Sequence, residues 1–141
     1  MSEWEAKAAV IAVINHYSGA AARLDIDEFC SVFTPDITFH GVAEMMGQPG
    51  PLKGHEGLRA FFGPAFAHLE WLQQQNTITD VVLGPDGKTA KTSTSITENA
   101  KGPGADQIYL LARYEDELVL TGDGWKIAKR TLVPHRFQTV P

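Results

Sequence analysis

Between Val10 and Leu24 apolar side chains recur at steps of three and four (Val10, Ile14, Tyr17, Ala21, Leu24), the spacing that gathers residues on one face of an α-helix. Ser2 followed by Glu5 is a capping-box pattern, in which a hydroxyl and a carboxylate satisfy backbone donors left free at a helix start, so a first helix is predicted from about Glu3 to Ala22. The small side chains of Ala20, Ala21 and Ala22 allow another element to approach closely. Asp25 and Asp27 then precede Glu28-Phe29-Cys30-Ser31-Val32-Phe33, a short second helix whose acidic start suits the positive end of the helix dipole and which Pro35 ends. Asp36 to Val42 reads as a strand, and Gly47 to Gly54 as a loop dense in turn formers. A third helix is predicted from about Glu56 to Leu69, with Leu58, Phe61, Phe62, Ala65 and Phe66 as its apolar face.

Beyond Glu70 the period becomes that of extended chain. Glu70 to Leu83 and the threonine-rich Thr89 to Glu98 flank the turn Pro85-Asp86-Gly87-Lys88. After the loop Lys101 to Ala105, Gln107 to Leu120 places Ile108, Leu110, Ala112 and Tyr114 on one side, and Gly122-Asp123-Gly124 turns into a last strand, Trp125 to Val133. Helices with one early strand, followed by an antiparallel meander, form the α+β pattern in which helices cover one face of a sheet.

Composition narrows this picture without changing it. The 141 residues are 43% hydrophobic, 21% charged and 9% aromatic, as expected of one globular domain over residues 1–141. A fold of this size buries roughly 70% of its unfolded surface, enough for a core without disulfides, and the single cysteine, Cys30, has no partner within the chain. A net charge of -5 argues against nucleic acid as a partner, because phosphate-tracking surfaces need clustered lysine and arginine. The N-terminus is acidic where a signal peptide is basic, and the apolar run from Ala8 to Ile14 is too short to span a bilayer. The expectation is a cytoplasmic protein with no membrane partner.

Several chemistries fail by position. His55-Glu56 opens like a metalloprotease helix, but Arg59 stands where the second histidine belongs. Gly122-Asp123-Gly124 and Gly102-Pro103-Gly104 lack the third glycine of a dinucleotide fingerprint, Ile127 and Gln107 holding that position. Ser18 follows His16 rather than a nucleophile-elbow glycine. Cys30, amid apolar residues, reads as a packed core thiol. His16, His40, His55, His68 and His135 include no close pair at metal-ligand spacing, so no metal is expected, although distant histidines can still converge in a fold. Glu115-Asp116-Glu117 reads as a solvated strand end.

Four phrases in order resemble the SnoaL-like group of the nuclear transport factor 2-like superfamily over nearly the whole chain. They are Tyr17 followed eight residues later by Asp25; Phe33-Thr34-Pro35-Asp36; Gly54-His55-Glu56-Gly57-Leu58-Arg59-Ala60-Phe61-Phe62; and Gly124-Trp125-Lys126-Ile127-Ala128-Lys129-Arg130. The resemblance implies a cone-like, curved antiparallel or mixed sheet packed against three helices of the N-terminal half, an α+β roll of cystatin-like form around an apolar pocket. It also implies a homodimer. Scytalone dehydratase, ketosteroid isomerase and polyketide cyclases belong to this superfamily, and most of its enzymes move a proton in a hydrophobic pocket without a cofactor. A carboxylate or imidazole in such a cavity has a displaced pKa and can exchange protons near neutrality.

Asp25 sits where the resemblance places an aspartate that orients a catalytic histidine, yet Asp25-Ile26-Asp27-Glu28 equally fits a helix cap, and the two roles are not exclusive. The partner histidine of the pattern is missing: Trp71-Leu72-Gln73-Gln74-Gln75-Asn76 occupies its strand. His40 on the first strand and His68 at the end of the third helix remain as proton carriers, each with a structural alternative, a half-buried strand residue for His40 and a charge against the helix dipole for His68. Trp71, Gln73 and Gln75 share one strand face and are taken as ligand-binding, Gln74 and Asn76 share the other, and whichever pair points inward can hydrogen-bond a ligand carbonyl or hydroxyl, ordinary solvent-side polarity being the structural alternative. Tyr17 can donate to a ligand oxygen or lie in the core, and Met45 and Met46 suit an adaptable apolar lid, Met46 contacting the ligand. The function expected is a lyase or isomerase acting without a cofactor on a small hydrophobic, cyclic, oxygenated molecule. The alternatives are a noncatalytic ligand-binding or accessory subunit, or an assembly element whose pocket is filled by side chains.

Overall fold

A computed structural model describes residues 2–104 and 106–141 of the chain. Helix α1, Glu3–Ala22, begins as its sequence predicts: the Glu5 amide donates to the Ser2 hydroxyl at 3.1 Å, and the Ser2 amide donates to the Glu5 carboxylate at 3.3 Å. Val10, Ile14, Tyr17 and Ala21 are all buried along one side. Helix α2 covers Ile26–Ser31, two residues earlier than the apolar pattern predicts, because the Asp25 carboxylate accepts the Glu28 amide at 3.0 Å and so fixes the start.

Strand β1 is Phe33–His40 rather than Asp36 to Val42. It runs parallel to the last strand, and the register shifts between Phe33 and Thr38, the interval that holds Pro35, which has no N–H to give a ladder. Gly41 ends the strand with φ of 97°, and a Cβ there would lie 2.2 Å from the Leu132 carbonyl oxygen, so only glycine fits. The chain then forms a single helical turn that the sequence pattern does not predict, α3 (Val42–Met45), before the short strand β2 (Leu52–Lys53) and helix α4 (Gly54–His68). Met45 and Met46 therefore belong to the end of a helical turn, not to an open loop.

Strands β3 (Trp71–Leu83), β4 (Thr89–Lys101), β5 (Gln107–Thr121) and β6 (Gly124–Val140) form the predicted antiparallel meander. The six strands lie in the order β2-β1-β6-β5-β4-β3, so the sheet is open and mixed, β1 joining β6 in parallel. β6 continues past the predicted end at Val133. Pro134 falls at a register shift opposite Leu111 and Ala112, a bulge that absorbs its missing donor.

The inner face of the sheet carries the core. Along β4, Ala90, Thr92, Thr94, Ile96 and Ala100 are buried in alternation, and the helices lay an aromatic cluster against them. Phe29 meets Tyr17, Phe33, Phe62 and Phe66 with ring centroids 5.2, 5.4, 4.8 and 5.2 Å away, in tilted and edge-on geometries that aromatic quadrupoles favour. Cys30 is buried beside this cluster, and burial raises its thiol pKa, as fits a packed side chain.

A buried ion pair crosses the same core. Arg130 on β6 is 0% exposed and donates to both Asp116 carboxylate oxygens on β5, at 2.8 and 2.9 Å. Its guanidinium lies between the rings of Tyr17 and Tyr114, 4.0 and 3.8 Å from their centroids, so weakly hydrated charge meets two π faces. Asp116 is thus a core residue rather than a solvated strand end. Its phase follows from the register, which pairs it with the buried Thr92 on one side and with Arg130 on the other.

A candidate active site in an apolar cavity

A cavity of about 480 Å³ opens between α4, the end of α3 and the inner face of β3–β6. Phe61, Phe62 and Phe66 of α4 form one wall, Leu72, Ile108 and Phe137 of the sheet another, and Met45 and Met46 the rim. These positions follow from the helical period of α4 and the two-residue period of the strands. Pro64, also in the lining, lies within α4, where it cannot donate to the carbonyl one turn back.

The one carboxylate in this lining is Glu98 of β4. It occupies the buried parity of its strand, in register with Gln74 of β3 and Leu110 of β5. Gln74 Nε2 donates to Glu98 Oε1 at 3.0 Å, Ser18 Oγ donates to Gln74 Oε1 at 3.0 Å, and Asn76 Nδ2 donates to Ser18 Oγ at 2.6 Å. One row of polar side chains thereby runs from α1 across β3 to the cavity wall. Burial pushes the Glu98 carboxyl above the usual carboxylate range, and the Gln74 bond opposes this only in part. Beside the row, Tyr17 and Tyr114 share a hydrogen bond of 2.9 Å between hydroxyls, and burial raises both.

The residues singled out in the sequence fall in different places. His68 and Met46 line the cavity with Glu98; His68 is exposed at the end of α4, and Met46 is 46% exposed. Tyr17 is buried between Arg130 and Phe29, its hydroxyl on Tyr114. Asp25 is exposed outside the cavity lining, and its carboxylate caps α2. His40 is half-buried at the end of β1, also away from the lining. Trp71, Gln73 and Gln75 lie on the exposed parity of β3, while Gln74 and Asn76 turn inward. Among the described residues no three His, Cys, Asp or Glu side chains are grouped as a metal site, and no helix is long and apolar enough to cross a membrane.

Glu98 is not among the predicted site residues and Gln74 enters only through the alternative face of β3, yet both leave a trace in the sequence. Ala90, Thr92, Thr94, Ile96, Glu98 and Ala100 share one parity, which puts a carboxylate into an otherwise small or apolar row. Leu72 and Ile78 share the parity of Gln74 and Asn76. That common phase marks the inward face of a strand whose polar residues hide it.

An open, curved sheet wrapped on one side by helices around an apolar cavity is the fold of the nuclear transport factor 2-like superfamily. The sequence model of the SnoaL-like domain matches residues 2–131, and the chain belongs to that family. It is similar in structure to a protein of Novosphingobium aromaticivorans described as an aromatic ring hydroxylase by assignment, with 25% identity, 99% of this chain and 96% of that one covered, and a TM-score of 0.82. A hexachlorocyclohexane dehydrochlorinase of type 2 is 14% identical over 98% of this chain and 90% of its own, with a TM-score of 0.79. A ketosteroid isomerase-like protein of Erwinia carotovora atroseptica is 19% identical over 92% and 96%, with a TM-score of 0.73. No curated protein matches the chain.

Proposed function

We propose that this protein is an enzyme of the lyase or isomerase type that binds a small apolar, oxygenated molecule in the cavity and moves a proton on it with Glu98, without a cofactor. The observation that carries the reading is the Glu98 carboxyl in an apolar cavity wall, its pKa raised by burial. Such a group holds a proton into the range where it can give it to a developing oxyanion and recover it from carbon or water. His68 at the cavity rim is the second proton carrier, exchanging with solvent. Asp25 serves as the cap of α2. The names of similar structures, a dehydrochlorinase and an isomerase-like protein, agree with proton chemistry of this class.

The test is hydrogen–deuterium exchange in D₂O at the α-carbon of bicyclic ketones, followed by proton NMR. Exchange by the wild-type protein, lost in Glu98→Gln with ketone binding kept, is the expected result; exchange of equal rate in Glu98→Gln overturns the role of Glu98.

A noncatalytic ligand-binding or accessory subunit is the second reading. It is favoured by one feature: among the described residues Glu98 bonds to a neutral amide and no imidazole is bonded to Asp25. Ketone binding with no exchange in the wild-type protein decides for it. With either reading we place the protein in the cytoplasm as a homodimer, and sedimentation equilibrium reports the second point directly.

A further inference from the structure

With the Asn76 amide nitrogen facing Ser18, the donors along the polar row run in one direction. Asn76 Nδ2 can only donate, so the Ser18 oxygen accepts there and its single hydrogen goes to Gln74 Oε1. The Gln74 amide is thereby held with its NH₂ toward Glu98, and Nε2 can only donate to Oε1. Oε1 is committed as an acceptor. Among the described residues no hydrogen bond engages the other oxygen, Oε2, of a carboxyl that lies in the cavity wall.

From this geometry we propose that Gln74, locked by Ser18 and Asn76, is a positioning residue that confines the Glu98 proton to Oε2, and that the site selects neutral ligands presenting an acceptor oxygen to it. The proposal rests on the reading of the cavity as the ligand site and adds which ligands it takes. A carbonyl, ether or epoxide oxygen receives the Oε2 hydrogen, while the surrounding phenylalanine and methionine side chains accept the hydrocarbon frame. Among the described residues the cavity lining holds no lysine or arginine, so a ligand carboxylate faces the Glu98 oxygens across an apolar space. A hydrocarbon of the same shape leaves the Glu98 hydrogen unpaired.

The experiment compares 1-tetralone with tetralin, the same bicyclic frame without the oxygen, by equilibrium binding between pH 4 and pH 9. The wild-type protein is expected to favour the ketone by about tenfold at acid pH, the effect of one good hydrogen bond, and to lose the preference as the Glu98 carboxyl ionises. Gln74→Leu removes the donor that favours the ionised carboxyl, so the midpoint of that loss moves to higher pH. Ser18→Ala, a milder change, frees the Gln74 amide to turn its oxygen toward Glu98 and moves the midpoint the same way. A midpoint that stays or falls in both variants overturns the positioning role. Equal binding of ketone and hydrocarbon at acid pH, with both lost in the cavity-filling Ala65→Trp, overturns the acceptor-oxygen selection and leaves the cavity as the ligand site. Binding that Ala65→Trp does not weaken, or none at all, overturns the selection and the cavity reading together.

Discussion

Arg130 and Asp116 show how much one residue pair can decide. Both side chains are completely buried, and the guanidinium is satisfied chiefly by Asp116 and by two tyrosine faces, Nη1 having no hydrogen-bond partner among the described residues. Burial disfavours the Arg130 charge, but Asp116 overcomes this and holds it charged. Arg130→Met leaves an Asp116 charge buried without its partner, and a loss of about 3–5 kcal/mol in urea unfolding is expected. At Glu98 the sign is set by burial alone. The folded carboxyl binds its proton more tightly than the unfolded one, so its contribution is fully present below the unfolded pKa and is lost as pH rises through the higher folded pKa. Glu98 therefore makes the unfolding free energy of the wild-type protein fall over that window, and in Glu98→Gln the slope becomes shallower by its share. Glu28 shows the opposite case. Arg23, and after it His16, hold its carboxyl down at about 2, so its contribution is lost only as pH falls from the ordinary carboxylate range toward that value. A carboxyl-carbon NMR titration of Glu28 should find the midpoint there.

Among the elements, those whose side chains repeat with one clear period were readable from sequence, and those decided by a single contact were not. The ends of α1 match because Ser2 and Glu5 are local partners. The strands β3 and β5 match to within a residue because turns and alternation mark them, while β4 runs to Lys101, three residues past its predicted end, where it stays paired with Trp71 and Gln107. β1 begins three residues early because its partner is β6, far along the chain, and no local pattern announces a parallel neighbour. The site was obscured in the same way: β3 has glutamines on both faces, so the choice between Gln73 with Gln75 and Gln74 with Asn76 depends on Leu72 and Ile78. At α2, capping and chemistry can be separated. Asp25→Ala should cost about 1 kcal/mol of stability and Asp25→Asn much less, since asparagine also caps. Ketone exchange should survive in Asp25→Asn, and its loss there would return Asp25 to the reaction. Gly41→Ala combines a left-handed φ with a clash against the Leu132 carbonyl, and a fall in melting temperature is expected even though the change adds one methyl group.

For the molecule as a whole, the aromatic cluster, the buried ion pair and the cavity occupy one side of a single open sheet, so stability and binding share the same wall. β1 is clamped between β2, which supplies only two residues, and β6, the last strand in sequence order. Phe33, Ile37 and Phe39 are buried on a strand whose parallel neighbour lies at residues 124–140, far along the chain. Pairing across that span pays loop-closure entropy before any contact rewards it, which slows formation of the β1–β6 pair. Three buried side chains of the first strand thus depend on a sequence-distant neighbour, so a change that loosens β6 uncovers apolar residues far from it in the sequence.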